Sequence, residues 1–243
     1  MQALRLGVNL DHLVAVREAR HTPYPDLAEA ITVSEQNGGD GITLHLREDR
    51  RHVQPQDMFL ARRVARSTLN MEMAPTPGMV EMAVDVGPDF CCLVPERREE
   101  LTTEGGLDVI AHGRRLREAI QRLTEVGIQV SLFIEPDPKV IDAVRELGAP
   151  LVELHTGTYC NLGEGEVHAE LERIRTAARH AADIGLKVNA GHGLHAGNVG
   201  PVAAIPQIEE LNIGHAIVAR ALITGLGEAV REMRAAMDAS RKR

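Results

Sequence analysis

Eight times along this chain a short apolar segment closes in a cluster of polar or glycine residues and gives way to a stretch of helical periodicity. Strands that alternate with helices pair in parallel. Eight such units close into a (β/α)8 or TIM barrel, whose active site gathers at the C-terminal ends of its strands. The polar clusters fall at those ends: Asn9-Leu10-Asp11-His12, His45-Leu46-Arg47, Glu72, Glu153-Leu154-His155, Gly191-His192-Gly193 and Gly214-His215. The 243 residues are expected to form one domain spanning 1–243, since barrels of this kind run to about 250 residues.

The pattern predicts strands over Leu4–Leu10, Gly41–Leu46, Leu69–Met73, Phe90–Val94, Ile128–Ile134, Leu151–Leu154, Leu186–Ala190 and Glu210–Ile213. Pro25-Asp26, Pro55, Pro77 and Pro138 open helices, as a residue with fixed φ and no N–H can. Gly38, Gly87, Gly127, Gly148 and Gly185 close them. Two segments exceed the minimal unit. His12 to Arg20 reads as an extra short helix after strand one, and Gly105 to Val126 after strand four is long enough for two helices. The charged connection from Pro95 to Gly106 is long for an α/β fold and reads as a lid.

Composition narrows the chemistry. The net charge of −8 speaks against a general nucleic-acid binder. No apolar run approaches the ~20 residues of a membrane span. Met1 to Arg5 is no signal peptide, so a cytoplasmic protein is expected. With no Trp and few aromatics, barrel layers of branched aliphatic residues are expected. Adjacent Cys91 and Cys92 should face opposite sides of a strand, and these two and Cys160 read as reduced thiols, small and buried. Three of the 27 basic residues are lysines (Lys139, Lys187 and Lys242), and none stands at a strand's C-terminal end. A Schiff-base lysine is therefore not expected.

Strand alternation sorts the polar side chains by face. Thr43, His45 and Arg47 share one face; so do Asn70 and Glu72, Glu153 and His155, and Asn9 and Asp11. The opposite faces are apolar and must meet helices, so these sets should point into the barrel mouth. Glu72, between Met71 and Met73, has the apolar setting that raises a carboxyl toward the range useful for general acid–base work. Arg47 is aimed with His45 and suits an anionic substrate, whereas Arg17, Arg20, Arg50 and Arg51 are equally explained as solvated surface. The glycine turns after strands seven and eight are where such barrels hold phosphate.

Three motifs carry a family resemblance: Gly7-Val8-Asn9-Leu10-Asp11-His12, the run Gly41 to His52, and Val188-Asn189-Ala190-Gly191-His192-Gly193-Leu194. With them, and with Cys91 to Glu96, Thr102 to Val109 and Glu210 to Ala216, the chain resembles the pyridoxine 5′-phosphate synthase family from about Leu6 to the final helix. A slightly short connection around Leu162–Glu166 is the one departure. The resemblance implies a condensation of 3-amino-2-oxopropyl phosphate with 1-deoxy-D-xylulose 5-phosphate. The products would be pyridoxine 5′-phosphate, phosphate and water, in vitamin B6 biosynthesis, with no metal or organic cofactor. It implies His45 and Glu72 as proton acceptors, His192 as proton donor and Glu153 as stabiliser of a charged intermediate. Asn9, Arg20, Gly193, Gly214 and His215 would hold the amino ketone phosphate. Asp11, His12, Arg47, His52 and Thr102 would hold the deoxyxylulose phosphate. It also implies a homo-octamer, with Arg20 reaching a neighbouring subunit's site.

Two other readings of the residues stay open at this level. A metal-dependent barrel hydrolase or isomerase would use His45, His155, His192 and His215 with Glu72 or Glu153 as ligands. A non-catalytic sensor of a phosphorylated ligand would keep the glycine turns but have no need for Glu72 and Glu153.

Overall fold

The computed structural model describes residues 3–96, 105–163 and 165–241. Thr102, most of the connection read as a lid, and Lys242 lie outside the described residues. Eight parallel strands close a barrel in sequence order: β1 (Arg5–Asn9), β2 (Gly41–His45), β3 (Thr68–Met73), β4 (Phe90–Leu93), β5 (Gln129–Ile134), β6 (Leu151–His155), β7 (Lys187–Gly191) and β8 (Ile208–Ile213). β1 pairs with β2 on one side and β8 on the other, so no edge is left open. Each strand falls within two residues of its predicted place.

The helices are α1 (Asp11–Glu18), α2 (Leu27–Gln36), α3 (Pro55–Val64), α4 (Pro77–Val86), α5 (Gly113–Glu125), α6 (Pro138–Leu147), α7 (Gly157–Asn161), α8 (Val167–Asp183), α9 (Val199–Ala203), α10 (His215–Thr224) and α11 (Leu226–Arg241). Helix α1 is the extra helix expected after strand one. Asp26 caps α2 by accepting the Glu29 N–H at 2.9 Å, and Gly87 and Gly148 end α4 and α6 in the left-handed conformation that a Cβ disfavours. The expectation of two helices over 105–126 is corrected. The described part of that segment holds α5 alone, preceded by a turn at 109–112. The Asp108 carboxylate accepts the Ala111 N–H at 2.9 Å and its carbonyl the His112 N–H at 3.2 Å, a capped single turn that stops where His112 leaves helical geometry (φ −109°, ψ 14°) and α5 begins. No described helix is long and apolar enough to cross a membrane.

The apolar core lies between barrel and helices. Leu6, Val8, Ile42, Leu44, Met71, Met73, Leu132 and Leu154 face outward from the strands into it. The barrel interior, however, is not made of branched aliphatic layers. Cys92, Val94 and Phe133 form a small apolar cluster apart from the main core, with Cys91 on the opposite face as alternation requires. The rest is a buried polar lattice. The Thr43 hydroxyl donates to Asn212 Oδ1 at 2.9 Å, the Asn212 amide donates to Glu153 Oε2 at 2.8 Å, and Arg5 lies 3.2 Å from Glu210. These contacts offset the desolvation that otherwise forbids polar groups in a barrel centre.

Candidate active site

Register places the first carboxyl–imidazole pair. In the parallel ladder of β2 and β3, His45 stands opposite Glu72, and its Nδ1 lies 3.9 Å from Glu72 Oε2. The other ring nitrogen, Nε2, is 2.9 Å from Glu96 Oε1. Glu96 also accepts the backbone N–H groups of Ala74 at 3.1 Å and Glu48 at 3.0 Å, so one carboxylate joins the ends of three strands. Burial opposes its charge, but the hydrogen bond and charge of His45 hold its carboxyl below the usual range. Asp11 fixes the pair from the β1 side, accepting the His45 N–H at 2.7 Å and the Asn9 amide at 2.9 Å.

Burial drives the site toward electrical neutrality. It pushes Glu72 well above the usual carboxyl value, with Glu153 and Asp11 adding like-charge repulsion. Glu153 is pushed up to about 7 by burial and by Glu210, against the opposing hydrogen bonds from Asn212 and Cys92. Imidazoles move the other way. Burial lowers His12 and His52, while burial and the neighbouring His155 and His12 bring His192 to about 4. Raised carboxyls and lowered imidazoles lie closer together in proton affinity than the free groups do, and an incoming anion can re-tune them.

The turns after β7 and β8 complete the wall. His192 (φ 84°) and Gly193 (φ 79°) both take left-handed backbone conformations. The Thr156 hydroxyl, 2.6–2.7 Å from the carbonyls of Gly191 and His192, clamps that turn. His12 and His215 meet edge to face with centroids 4.8 Å apart. Gly214 precedes α10, and a Cβ there would fall 2.9 Å from Asn9 Oδ1; at Gly191 it would fall 2.7 Å from Glu153 Oε1. Both glycines thus admit neighbouring site residues.

One cavity of about 660 Å³ gathers Asn9, Asp11, His12, His45, Arg47, His52, Glu72, Glu153, His192, Gly193, Gly214 and His215. These are all the residues expected at the site except Thr102, which is not described, and Arg20, which is exposed and does not line the cavity. The other arginines are otherwise engaged. Arg17 makes a two-pronged pair with Asp57 at 2.8 and 2.6 Å, Arg51 pairs with Asp49, and Arg50 bonds back to the Arg47 carbonyl. Reading by sequence overlooked Glu96, Asn212 and Phe133. The period of two that places Cys92 inward also places Val94 and Glu96, so Glu96 was within reach. Among the described residues, the set with metal-ligand spacing is Asp11, His45 and Glu72, whose donor atoms lie within 4.8 Å of one another; the four histidines of the metal alternative do not converge.

A closed barrel whose C-terminal mouth holds paired carboxyls, several imidazoles and a buried arginine around one cavity defines an enzyme built for proton transfer on small molecules. Residues 6–239 match the family described as pyridoxal phosphate biosynthesis protein PdxJ, and the chain belongs to that family. It is 58% identical to the pyridoxine 5′-phosphate synthase of Thioalkalivibrio sulfidiphilus, covering 99% of this chain and 98% of that one. It is 52% identical to the protein of the same name from Legionella pneumophila strain Corby, over 98% and 96%. Solved structures with the same fold include KGPDC from Streptococcus mutans (TM-score 0.66, 13% identity, covering 98% of this chain and 99% of that one). Another is a thiamine phosphate pyrophosphorylase from Pyrococcus furiosus (TM-score 0.62, 14% identity, covering 98% and 96%). At such identities these two likenesses speak to fold alone.

Proposed function

We propose that the protein is a pyridoxine 5′-phosphate synthase acting in vitamin B6 biosynthesis, condensing 3-amino-2-oxopropyl phosphate with 1-deoxy-D-xylulose 5-phosphate. The observation that carries this is the convergence of His45, Glu72, Glu153 and His192, from four separate strand ends, on one cavity in a chain of this family. The amino ketone brings its own amine for the imine, so a rim without lysine suits the reaction. Two phosphates need two anion sites. The α10 N-terminus after Gly214, with the Gly193 turn, suits the amino ketone phosphate. Arg47, 2% exposed, with His12 and His52 suits the other substrate.

In this reading Glu72 and His45 accept protons, His192 donates one to a departing oxygen, and Glu153 balances the charge that builds on the intermediate. Binding two phosphates raises His192 from its low value and makes it an acid, which ties proton donation to the filled site. Arg20 and the octamer belong to the same proposal. An exposed Arg20 is available to a neighbouring subunit, and Leu222 and Ile223 on α10 are 74% and 80% exposed, apolar surface that assembly would cover. The test is to incubate metal-stripped protein with both substrates and measure pyridoxine 5′-phosphate and equimolar phosphate. Turnover that appears only with added metal would instead favour a cation held by Asp11, His45 and Glu72.

Arg47→Lys keeps the charge and loses the guanidinium fork, so the KM for deoxyxylulose phosphate is expected to rise about tenfold with a smaller change in kcat. Steady-state kinetics with the other substrate saturating read this directly, and an unchanged KM removes Arg47 from the phosphate site.

A further inference from the structure

Behind His192 lies a second carboxylate–imidazole pair that the roles above do not use. His155, at the end of β6 and 6% exposed, places its Nδ1 2.7 Å from Glu135 Oε1. Glu135 follows β5 and is itself held by Arg173 of α8, 3.2 Å from its other oxygen; Arg173 in turn bonds Glu170 at 2.7 and 2.8 Å. The second ring nitrogen of His155, Nε2, is buried and has no hydrogen-bond partner among the described residues. Its ring centroid is 5.2 Å from that of His192, and Phe133 packs against both, at 5.2 and 6.4 Å. The two imidazole edges meet over Gly157, where a Cβ would fall 2.3 Å from His155 Nε2 and 2.9 Å from His192 Cδ2. Any larger residue there would separate the rings.

We propose that Glu135 and His155 form a positioning pair for His192: Glu135 fixes the proton of His155 on Nδ1, so that Nε2 accepts a hydrogen bond from His192 and steadies the charged form that donates to the substrate. A buried lone pair without a donor is costly, and His192 Cδ2, beside it over Gly157, is bonded to Nε2, the nitrogen that rotation of the ring turns toward it. The neutral His155 that this requires also lacks the like charge by which a protonated one opposes protonation of His192. In the donating step, one proton passes from the substrate-facing nitrogen to the departing oxygen. The N–H electron pair stays on His192, and the proton on its other nitrogen stays hydrogen-bonded to His155. Among the described residues, the charged and titratable groups facing this unit are His12 from α1, Glu135 beyond β5, Cys160 of α7, and Arg173 with Glu170 of α8. The inference rests on His192 being the proton donor.

Glu135→Gln keeps the size and the acceptor oxygen but removes the charge. Its kcat is expected to fall roughly 10–100-fold, the range for losing an outer partner that orients an imidazole. The basic limb of its pH–rate profile should move down by about one pH unit, while both KM values stay near the parent's. A folded variant with unchanged kcat and limb, or with a change in KM alone, overturns the proposal. Nitrogen NMR of 15N-histidine-labelled unaltered protein needs no variant; it should find His155 protonated on Nδ1, and the Nε2-protonated tautomer would overturn the pair. In His192→Asn the basic limb should vanish. A limb that survives there unseats His192 as donor, a failure distinct from that of the pair.

Discussion

Glu72→Gln is expected to lower turnover by about 10²–10⁴-fold, the contribution of a positioned general base. Glutamine preserves the volume of the side chain and its place opposite His45 in the ladder, so barrel and cavity should survive. What it removes is a carboxyl that burial, Glu153 and Asp11 have made reluctant to ionise. A carboxylate created against that opposition is a strong proton acceptor. Turnover in the parent enzyme should therefore rise with pH as Glu72 loses its proton. The rate of pyridoxine 5′-phosphate formation, read beside substrate affinity by calorimetry, separates chemistry from binding. Near-normal turnover with intact affinity would remove Glu72 from the mechanism.

Glu153→Gln is expected to stabilise the fold above about pH 4.5, with the full gain reached at neutral and higher pH. Its carboxyl, about 7 in the folded protein, has an ordinary value near 4.5. Below about pH 4.5 the group is protonated whether the chain is folded or not, and its contribution is unaffected by pH. As pH rises from there through about 7, the unfolded chain releases the proton more readily than the folded one, and stability is lost. The loss amounts to about 3 kcal/mol on the alkaline plateau. Glutamine abolishes the titration and can still accept from Asn212. Its melting temperature at pH 8 should exceed the parent's by roughly 6–12 °C, at 2–4 °C per kcal/mol for a chain of this size. At pH 4 the two should melt together. Equal gains at both pH values, or none, would show that Glu153 is not a strained carboxyl. A gain in stability with a loss of activity is what a functional charge held in a barrel centre implies.

Much of this was legible in the chain because the relevant signals are local. Alternation along β2, β3 and β6 put His45, Glu72 and Glu153 on the inward face, and Pro or Asp at helix starts with Gly at helix ends set the unit boundaries. Helix α5 shows where local reading fails: the length of 105–126 allowed two helices, but the turn that Asp108 caps ends after one turn at His112, whose backbone is not helical. The expectation of an aliphatic barrel interior failed for a related reason. Composition shows how many branched residues exist but not which layer receives them, and here nearly all go to the outer core.

The sequence by itself determined eight strand–helix units, the inward face of each strand, and the kinds of group that reach the rim, since period and residue type are properties of a segment. Which groups meet was decided by closure of the barrel. The β2–β3 register sets His45 beside Glu72, Glu96 crosses from β4 to hold them, β8 brings Asn212 under Glu153, and Gly157 leaves room for His155 to lie against His192. The proton affinities were decided there too. A carboxyl or imidazole takes its strength from the water it loses and the charges it gains, and both come from residues distant in the chain.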